Sequence, residues 1–502
     1  MGRITEWKSW EEYRSSEQWS VSLPKGGKLP WAMFYPADYA IGSANLGYQY
    51  VFRMLRESGI AAERFFESPV PYRSVDRDTL LERFPVISAS IAYEPDVEKF
   101  FQWLRNANIP LNPFKRKEND YPVVIVGGAV TYINPLLVSS VSDAVILGDG
   151  LDIMPEIINA VKEYDEDRDR EKLWKKLSGM ESVFVPPFEV TNGGVAAKKK
   201  IGREQLIDGK HPMHSSWITD RGAFGSTLLL ELQRGCIRNC SYCTLPACFG
   251  KARFREFSLL EESFENLCRK LEFDQVGLIT PEAGDYPDID KILDMLHKNG
   301  KSVSFASLRI DRLSGKMLEA LSLGGRHSIT VAPETGNEKL RAACGKKFSN
   351  ALVVEKLKMA AEYGINSVKL YFMIGLPGET DTDVKSIAEL CAEIIEVTGQ
   401  SLVISAGAFI PKPWTKWQKE AFIGQAEIKR RYKLLTAEVR KIKKKTPKLR
   451  LTSAKEAETE FVLAWAGCTE SRMLAADVEK YGKRKFNCTD RERTLRELGQ
   501  FA

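Results

Sequence analysis

Six short apolar runs alternate with amphipathic stretches between residues 228 and 409, and this alternation constrains the fold more than any other feature of the chain. The runs are residues 228–232, 276–280, 303–306, 328–331, 367–373 and 402–409. Between them, residues 259–271, 289–298, 352–363 and 381–397 repeat apolar positions at helical spacing, the last opened by Asp381-Thr382-Asp383 as a cap. Strands separated by helices pair in parallel through helical crossovers, so an α/β fold follows. The predicted closure is a partial (βα)6 barrel of TIM type over residues 226–412.

A separate alternation precedes it, with runs at 31–35, 86–91, 123–126 and 144–147 and helical stretches at 45–57, 96–106 and 153–161. It predicts an amino-terminal doubly wound, Rossmann-like domain over residues 1–165. Its turns Gly127-Gly128 and Gly148-Asp149-Gly150 leave bare backbone for a ligand. They do not form GxGxxG, which argues against nicotinamide or flavin. The charged stretch at 165–170 and Asn192-Gly193-Gly194 mark residues 166–225 as a surface linker. Residues 413–502 form a helical carboxyl-terminal region. Within it Ile428, Tyr432, Leu435, Val439 and Ile442 recur at helical spacing through residues 428–449, opposite lysines and arginines. Exposed aromatics do not interleave those cations, so a solvated face is expected rather than a nucleic-acid surface.

The barrel's first strand runs into Leu232-Gln233-Arg234-Gly235-Cys236-Ile237-Arg238-Asn239-Cys240-Ser241-Tyr242-Cys243, placing three cysteines at CxxxCxxC spacing where strands end and such folds put their chemistry. Three thiolates can hold three irons of a 4Fe-4S cluster and leave the fourth iron open. Structural zinc takes four ligands, commonly as two CxxC pairs, and no second pair lies nearby. The other cysteines, Cys248, Cys268, Cys344, Cys391, Cys468 and Cys488, are expected as small apolar core residues. Nine cysteines with one tight triad fit a reducing cytosol better than a disulfide framework. No run of eighteen apolar residues and no apolar leader are present, so a cytoplasmic protein without a membrane span is expected. A length of 502 residues suits two or three domains, and a net charge of +6 is too mild to imply nucleic acid.

The cysteine loop, with aromatic Tyr242 before its last cysteine, resembles the defining motif of the radical S-adenosylmethionine enzymes. A doubly wound domain ahead of such a barrel resembles the cobalamin-binding members, the class B radical methylases. Further segments similar to this family are Phe34-Tyr35-Pro36, Ala332-Pro333-Glu334-Thr335-Gly336, Gly375-Leu376-Pro377-Gly378-Glu379-Thr380 and Ile410-Pro411-Lys412-Pro413. The resemblance implies that Tyr242, Ser307, Arg309, Glu334 and Lys369 line the S-adenosylmethionine pocket and that Gly375 lets the fifth strand's end approach it. Glu282 stands where the family often shows Gly-Gly-Glu for the methionyl amine. It assigns cobalamin to Tyr39, Asn45, Ser90, Tyr93, Gly127, Gly128, Gly148, Asp149 and Gly150. All four histidines follow the first domain, and Asp38-Tyr39-Ala40 stands where a DxH loop would be, so cobalamin is expected base-off with no histidine beneath cobalt.

The implied activity is methylation of an unactivated sp3 carbon through methylcobalamin and a 5'-deoxyadenosyl radical, in an oxygen-sensitive enzyme fed by ferredoxin or flavodoxin. A protein or peptide substrate is expected ahead of a small molecule or nucleic acid. Size and carboxyl-terminal texture look similar to archaeal enzymes that methylate methyl-coenzyme M reductase, the glutamine C-methyltransferase in particular. A cyclase or rearrangement enzyme for a small metabolite uses the same cofactors and stays open, as does a non-catalytic sensor. Methylthiotransferases share the barrel motifs but carry three further amino-terminal cysteines, and none precedes Cys236 here. Trp414 and Trp417 could floor a substrate channel at the barrel mouth.

Overall fold

The computed structural model describes residues 9–24, 26–191, 194–195, 214–306 and 308–501. The first unit is built on strands β1 (Pro30–Tyr35), β2 (Ala61–Phe66), β3 (Val86–Ser90), β4 (Val123–Gly127), β5 (Ala144–Ile146) and β6 (Val183–Phe184). They lie in the order β2-β1-β3-β4-β5-β6, parallel except for β6 at the edge. Order therefore reverses between β1 and β3, and in open α/β sheets the ligand crevice opens at such a point.

Helices cover both faces because each carries one apolar stripe. On one face α1 (Leu46–Glu57) and α3 (Met154–Asp167) bury Phe52, Leu55, Ile157 and Val161 with Trp31, Val86 and Ile125 of the sheet. The start of α1 is set by Asn45, whose Oδ1 accepts the Tyr48 amide at 2.9 Å. On the other face α2 (Pro95–Asn106) brings Trp103 flat onto Phe34, ring centroids 3.9 Å apart.

Two segments differ from expectation. The stretch 166–225, expected as linker, carries α4 (Arg170–Ser178), whose Leu173, Trp174 and Leu177 join the first core, and then β6 in the sheet. Its charged outer face hid a buried stripe. Asn192 and Gly193, read there as linker signals, lie outside the described residues.

The barrel strands are β7 (Thr227–Glu231), β8 (Gln275–Ile279), β9 (Ser302–Phe305), β10 (Ser328–Glu334), β11 (Ser367–Ile374), β12 (Ser401–Ala408) and β13 (Lys448–Leu451). They form parallel half-sheets β7-β8-β9 and β10-β11-β12-β13, joined by a parallel bridge between Leu308 and Val331. Crossovers run through α5 (Phe257–Lys270), α6 (Ile289–Lys298), α7 (Gly315–Leu323), α8 (Asn350–Glu362), α9 (Asp381–Thr398) and α10 (Gly424–Val439). Along β11, Val368, Leu370, Phe372 and Ile374 are buried, while Lys369, Tyr371 and Met373 on the opposite face are partly open. The helix expected through residue 449 ends at Val439, and Leu449 lies in a seventh parallel strand. Pro447 blocks helix continuation there.

Beyond the barrel, α11 (Ala454–Ala464), α12 (Cys468–Tyr481) and α13 (Arg491–Leu498) fold back onto the first unit. Val462, Leu474, Val478 and Leu498 share one core with Phe34, Phe100 and Val126, and Asn134 Nδ2 donates to the carbonyls of Ala464 and Ala466 at 3.1 and 2.8 Å. Among the described residues no helix is long and apolar enough to cross a membrane.

Cavity creation at the docked face tests this placement. Leu474→Ala should lower unfolding free energy by about 2–5 kcal/mol in a denaturant titration. Met473→Ala, on the exposed side of the same helix, should change it by less than about 0.5 kcal/mol.

Candidate functional site

The cysteine loop leaves the end of β7 through the two-residue strand Gln233–Arg234, which pairs antiparallel with Arg253–Phe254. Gly235 turns the chain at φ 75°, and a Cβ there would lie 2.4 Å from the Lys251 carbonyl oxygen. No other residue fits. Cys236, Cys240 and Cys243 then stand partly exposed on one loop.

Three neighbours hold that loop. Ser241 donates from Oγ to the Ala343 carbonyl at 2.7 Å and from its amide to the Cys344 carbonyl at 3.0 Å. Gly345, at φ 93°, lies so close that a Cβ would sit 3.0 Å from Cys240 Cα. Trp417 donates its amide to the Ser241 carbonyl at 3.0 Å, and Arg238 Nε donates to Asp285 Oδ2 at 2.7 Å. Arg238 also turns its amide onto Cys236 Sγ at 3.3 Å. Burial raises the Cys236 thiol and pushes Cys243 up to about 11, so both wait protonated until a metal displaces the protons.

The donor set fits an iron–sulfur cluster. Three thiols stand on one loop, and a cuboidal cluster takes each thiolate on a separate iron.

Around this loop the expected pocket residues sort into groups. Tyr242 donates its hydroxyl to Glu334 Oε1 at 2.7 Å, and the same oxygen accepts from Lys346 Nζ at 2.5 Å. Glu334 is buried at φ 67°, a left-handed conformation costly for a side-chain-bearing residue. Lys346 escaped the sequence reading because nothing local distinguishes it from a surface lysine. Glu282, at the end of β8, is 2% exposed and leaves Oε2 without a hydrogen-bond partner. Burial pushes its carboxyl up to about 7 against the amides of Gly284 and Arg309. A buried oxygen waiting for a donor fits a ligand amine there.

Arg309 is spent on Asp311, Nε to Oδ1 at 3.0 Å, and Lys369 donates to Tyr371 Oη at 2.7 Å, two residues along the same strand. Ser307 lies outside the described residues. Gly375 serves packing: the space its Cβ would fill is taken by Ile423 Cδ1 at 2.6 Å, and its amide donates to Glu379 Oε2 at 2.7 Å.

A cavity of about 340 Å³ lies between the units, where the carboxyl ends of both sheets face each other. Asn45, Ser90, Gly127, Gly128, Gly148, Asp149 and Gly150 line it from the first unit, with Trp31, Met33 and Ile125 forming an apolar slot at the β1/β3 reversal. Glu231, Arg234 and Ile279 close it from the barrel. Gly128 is required at φ 102° because a Cβ would lie 2.5 Å from the Ile91 carbonyl oxygen. Tyr39 does not reach the cavity; it is packed among Trp10, Tyr13 and Phe66 and donates to Glu17 Oε1 at 2.5 Å. Its position beside Asp38 reflects a short capped helix.

Tyr93 belongs to a second cavity, of about 430 Å³, with Tyr242, Cys243, Met373, Phe409, Lys412 and residues of α11. There Tyr93 donates to Glu460 Oε2 at 2.9 Å, while Lys412 bridges Glu94 at 2.6 Å and Glu460 at 2.7 Å. Trp414 and Trp417 do not line either cavity. Trp414 Nε1 donates to the Ile133 carbonyl at 2.9 Å, tying barrel to first unit, and Trp417 stands edge-on to Phe409. Of the remaining cysteines, Cys248, Cys344, Cys391 and Cys468 are buried, but Cys268 is only partly so and Cys488 is exposed on the loop before α13.

Two family descriptions match the chain: radical SAM proteins, N-terminal, over residues 47–186, and the radical SAM superfamily over residues 230–391. An uncharacterized protein of Methanocaldococcus jannaschii is 28% identical over 354 residues, 70% of this chain and 72% of its own length. A second protein of that organism, named as a methylthiotransferase, is 23% identical over 54% of this chain and 57% of its own length. By structure the chain is similar to the radical S-adenosylmethionine methyltransferase TsrM from Kitasatospora setae. With tryptophan substrate and a SAM analog bound, that protein superposes at a TM-score of 0.52 and 13% identity over 78% of this chain and 75% of its own. With cobalamin and a 4Fe-4S cluster bound, it gives 0.50 and 13% over 77% and 76%. The likeness shows a shared fold.

Glu282 generates a pH prediction. Its folded carboxyl keeps a proton up to about 7, against an ordinary 4.5. Between those values the ligand-free fold binds more protons than the unfolded chain, so this group's contribution to stability falls as pH rises through that window. The difference between wild type and Glu282→Gln in denaturant midpoint should therefore grow in the mutant's favour from about pH 4.5 to 7, and a flat difference would refute the assignment.

Proposed function

We propose, for a chain that carries both radical S-adenosylmethionine domains, that it is a cobalamin-dependent C-methyltransferase. The observation that carries this reading is the 340 Å³ cavity, walled on one side by the glycine turns of a doubly wound sheet and on the other by Glu231 and Arg234, which lead into the cysteine loop. Two sites open onto one interface.

When bound, the cluster and S-adenosylmethionine supply an adenosyl radical and cobalamin supplies a methyl group. The chain's own residues position and enclose. Cys236, Cys240 and Cys243 would hold the cluster through three irons. Tyr242, fixed by Glu334 and Lys346, offers an aromatic face beside the third cysteine. Glu282 would pair its free oxygen with the methionyl amine, binding it as the ionised carboxylate, with Arg309 nearby. The apolar slot under Trp31, Met33 and Ile125 would take cobalamin's displaced base, and among the described residues no histidine lines the cavity.

The substrate carbon would enter through the second cavity, between Tyr93, Tyr242 and α11. Its open mouth suits a side chain of a protein or peptide, a glutamine of methyl-coenzyme M reductase being the specific candidate, with ferredoxin or flavodoxin as reductant. The similarity to a named methylthiotransferase favours sulfur insertion as the second reading. It would need a second cluster, and the chain has no cysteine before Cys236 to hold one.

Anaerobic reconstitution should load about four irons per chain, and cobalamin should bind with a base-off spectrum. Retention of the base, or no uptake, would overturn the cobalamin assignment. Cys240→Ala should reduce iron content and bring 5'-deoxyadenosine formation to background. With methyl-labelled S-adenosylmethionine and a glutamine-containing peptide of the reductase, mass spectrometry should find a methyl increment on carbon; a methylthio increment would select the second reading.

A further inference from the structure

We propose that Arg234 is a positioning residue that sets the placement of the first unit's cavity against the cysteine loop, an inference that rests on the methylase reading above. Arg234 lies two residues before Cys236, on the short strand that carries the chain from β7 into the cysteine loop. Its guanidinium spans both units. Nη1 meets Asp149 Oδ1 at 2.8 Å, while Nε and Nη2 meet Glu231 Oε1 and Oε2 at 3.1 and 3.0 Å.

Asp149 belongs to the glycine turn of the doubly wound sheet and Glu231 to the last position of β7, so one planar fork registers a carboxylate from each side of the cavity. All three side chains are less than one-tenth exposed. The carboxylates are themselves fixed: Arg255 Nη2 meets Glu231 Oε2 at 2.9 Å, and Arg253 Nη2 lies 3.7 Å from Asp149 Oδ2. Asp149, expected from sequence as a cofactor contact, therefore turns its carboxylate to the barrel.

The geometry has a functional reading. Methyl transfer needs a group held by the barrel and a group held by the doubly wound unit to meet in line, with reacting atoms about 3–3.5 Å apart. A displacement of about 1 Å between the units costs on the order of 100-fold in rate. Reductive cleavage of S-adenosylmethionine needs only the barrel. Loss of the clasp should therefore depress transfer across the interface more than cleavage. Lysine cannot replace the fork, since a point charge on a flexible stem registers one carboxylate at a time.

The test uses the full chain and the variants Arg234→Met, Arg234→Lys and Asp149→Asn, the last being nearly isosteric and removing only the arm between units. In cofactor-free protein, hydrogen exchange at the amides of residues 148–151 should speed at least tenfold in Arg234→Met and Asp149→Asn. With cluster and cobalamin loaded, the ratio of methyl label on cobalamin to 5'-deoxyadenosine formed should fall at least tenfold in both, with Arg234→Lys between them and wild type. Faster exchange with an unchanged ratio would reduce Arg234 to a structural ion pair and overturn the proposal. A lower ratio without faster exchange would also overturn it, by placing Arg234 at the cofactor. If wild type puts no label on cobalamin, the methylase reading fails, while the exchange result still decides whether the clasp exists. Should Arg234→Met not fold, Asp149→Asn decides both measurements.

Discussion

The Arg234 guanidinium, shared between Asp149 of the first unit and Glu231 of the barrel, links the two halves of the molecule through one buried contact. Removing three ionised side chains from water is expensive, and the attraction among them repays that cost only when nearly every donor and acceptor is used. Here the fork is used through Nε, Nη1 and Nη2, and the two carboxylates find further arginines. Such a network adds little to net stability compared with apolar packing, but it is intolerant of rotation. A guanidinium fork fixes direction as well as distance between the two carboxylates.

The cysteine loop shows the same logic at smaller scale. Burial raises the Cys236 and Cys243 thiols but does not fix where they stand. The loop is instead pinned by backbone contacts: Ser241 on the chain at Ala343 and Cys344, Gly345 against Cys240, and Trp417 on Ser241. Tyr242 is pinned separately, through Glu334 and Lys346. Four sequence-distant segments, at Asp285, Glu334, residues 343–346 and Trp417, thus converge on eight residues, 236–243. Held this way, the thiols keep their places before any metal arrives, and the ordering entropy is met during folding rather than at assembly.

The carboxyl-terminal helices close the remaining degree of freedom. Docking of α11 and α12 on the face of the first sheet that carries Phe34 and Val126 makes the chain return to its beginning, so the barrel is held at both of its ends. Lys412, between Glu94 of the first unit and Glu460 of α11, and Trp414, on the Ile133 carbonyl, lie on that return path. The second cavity is formed by this closure, since Tyr93, Tyr242 and Glu460 come from three different parts of the chain.

Hydrophobic period and turn chemistry are local, and whatever depends on them was readable along the chain. All six barrel runs became strands, four runs became strands of the first sheet, and the cysteine spacing marked its loop, because alternation, caps and glycine turns act within a few residues. Residues 61–66 and 183–184 were not recognised as strands, and the helix expected through residue 449 overran the start of the strand at 448–451, since strands owe their pairing to neighbours far off in sequence. Asn45, Ser90 and the glycine turns were expected together from the family resemblance, and they line one cavity. Tyr39 and Tyr93 failed that expectation, since a tyrosine's direction depends on which element lies across from it. Arg234 and Lys346 show the boundary most sharply. Each is an ordinary charged residue in sequence. Only the fold, by removing water and bringing one opposite charge from a distant segment, converts it from a solvated side chain into a fixed part of the site.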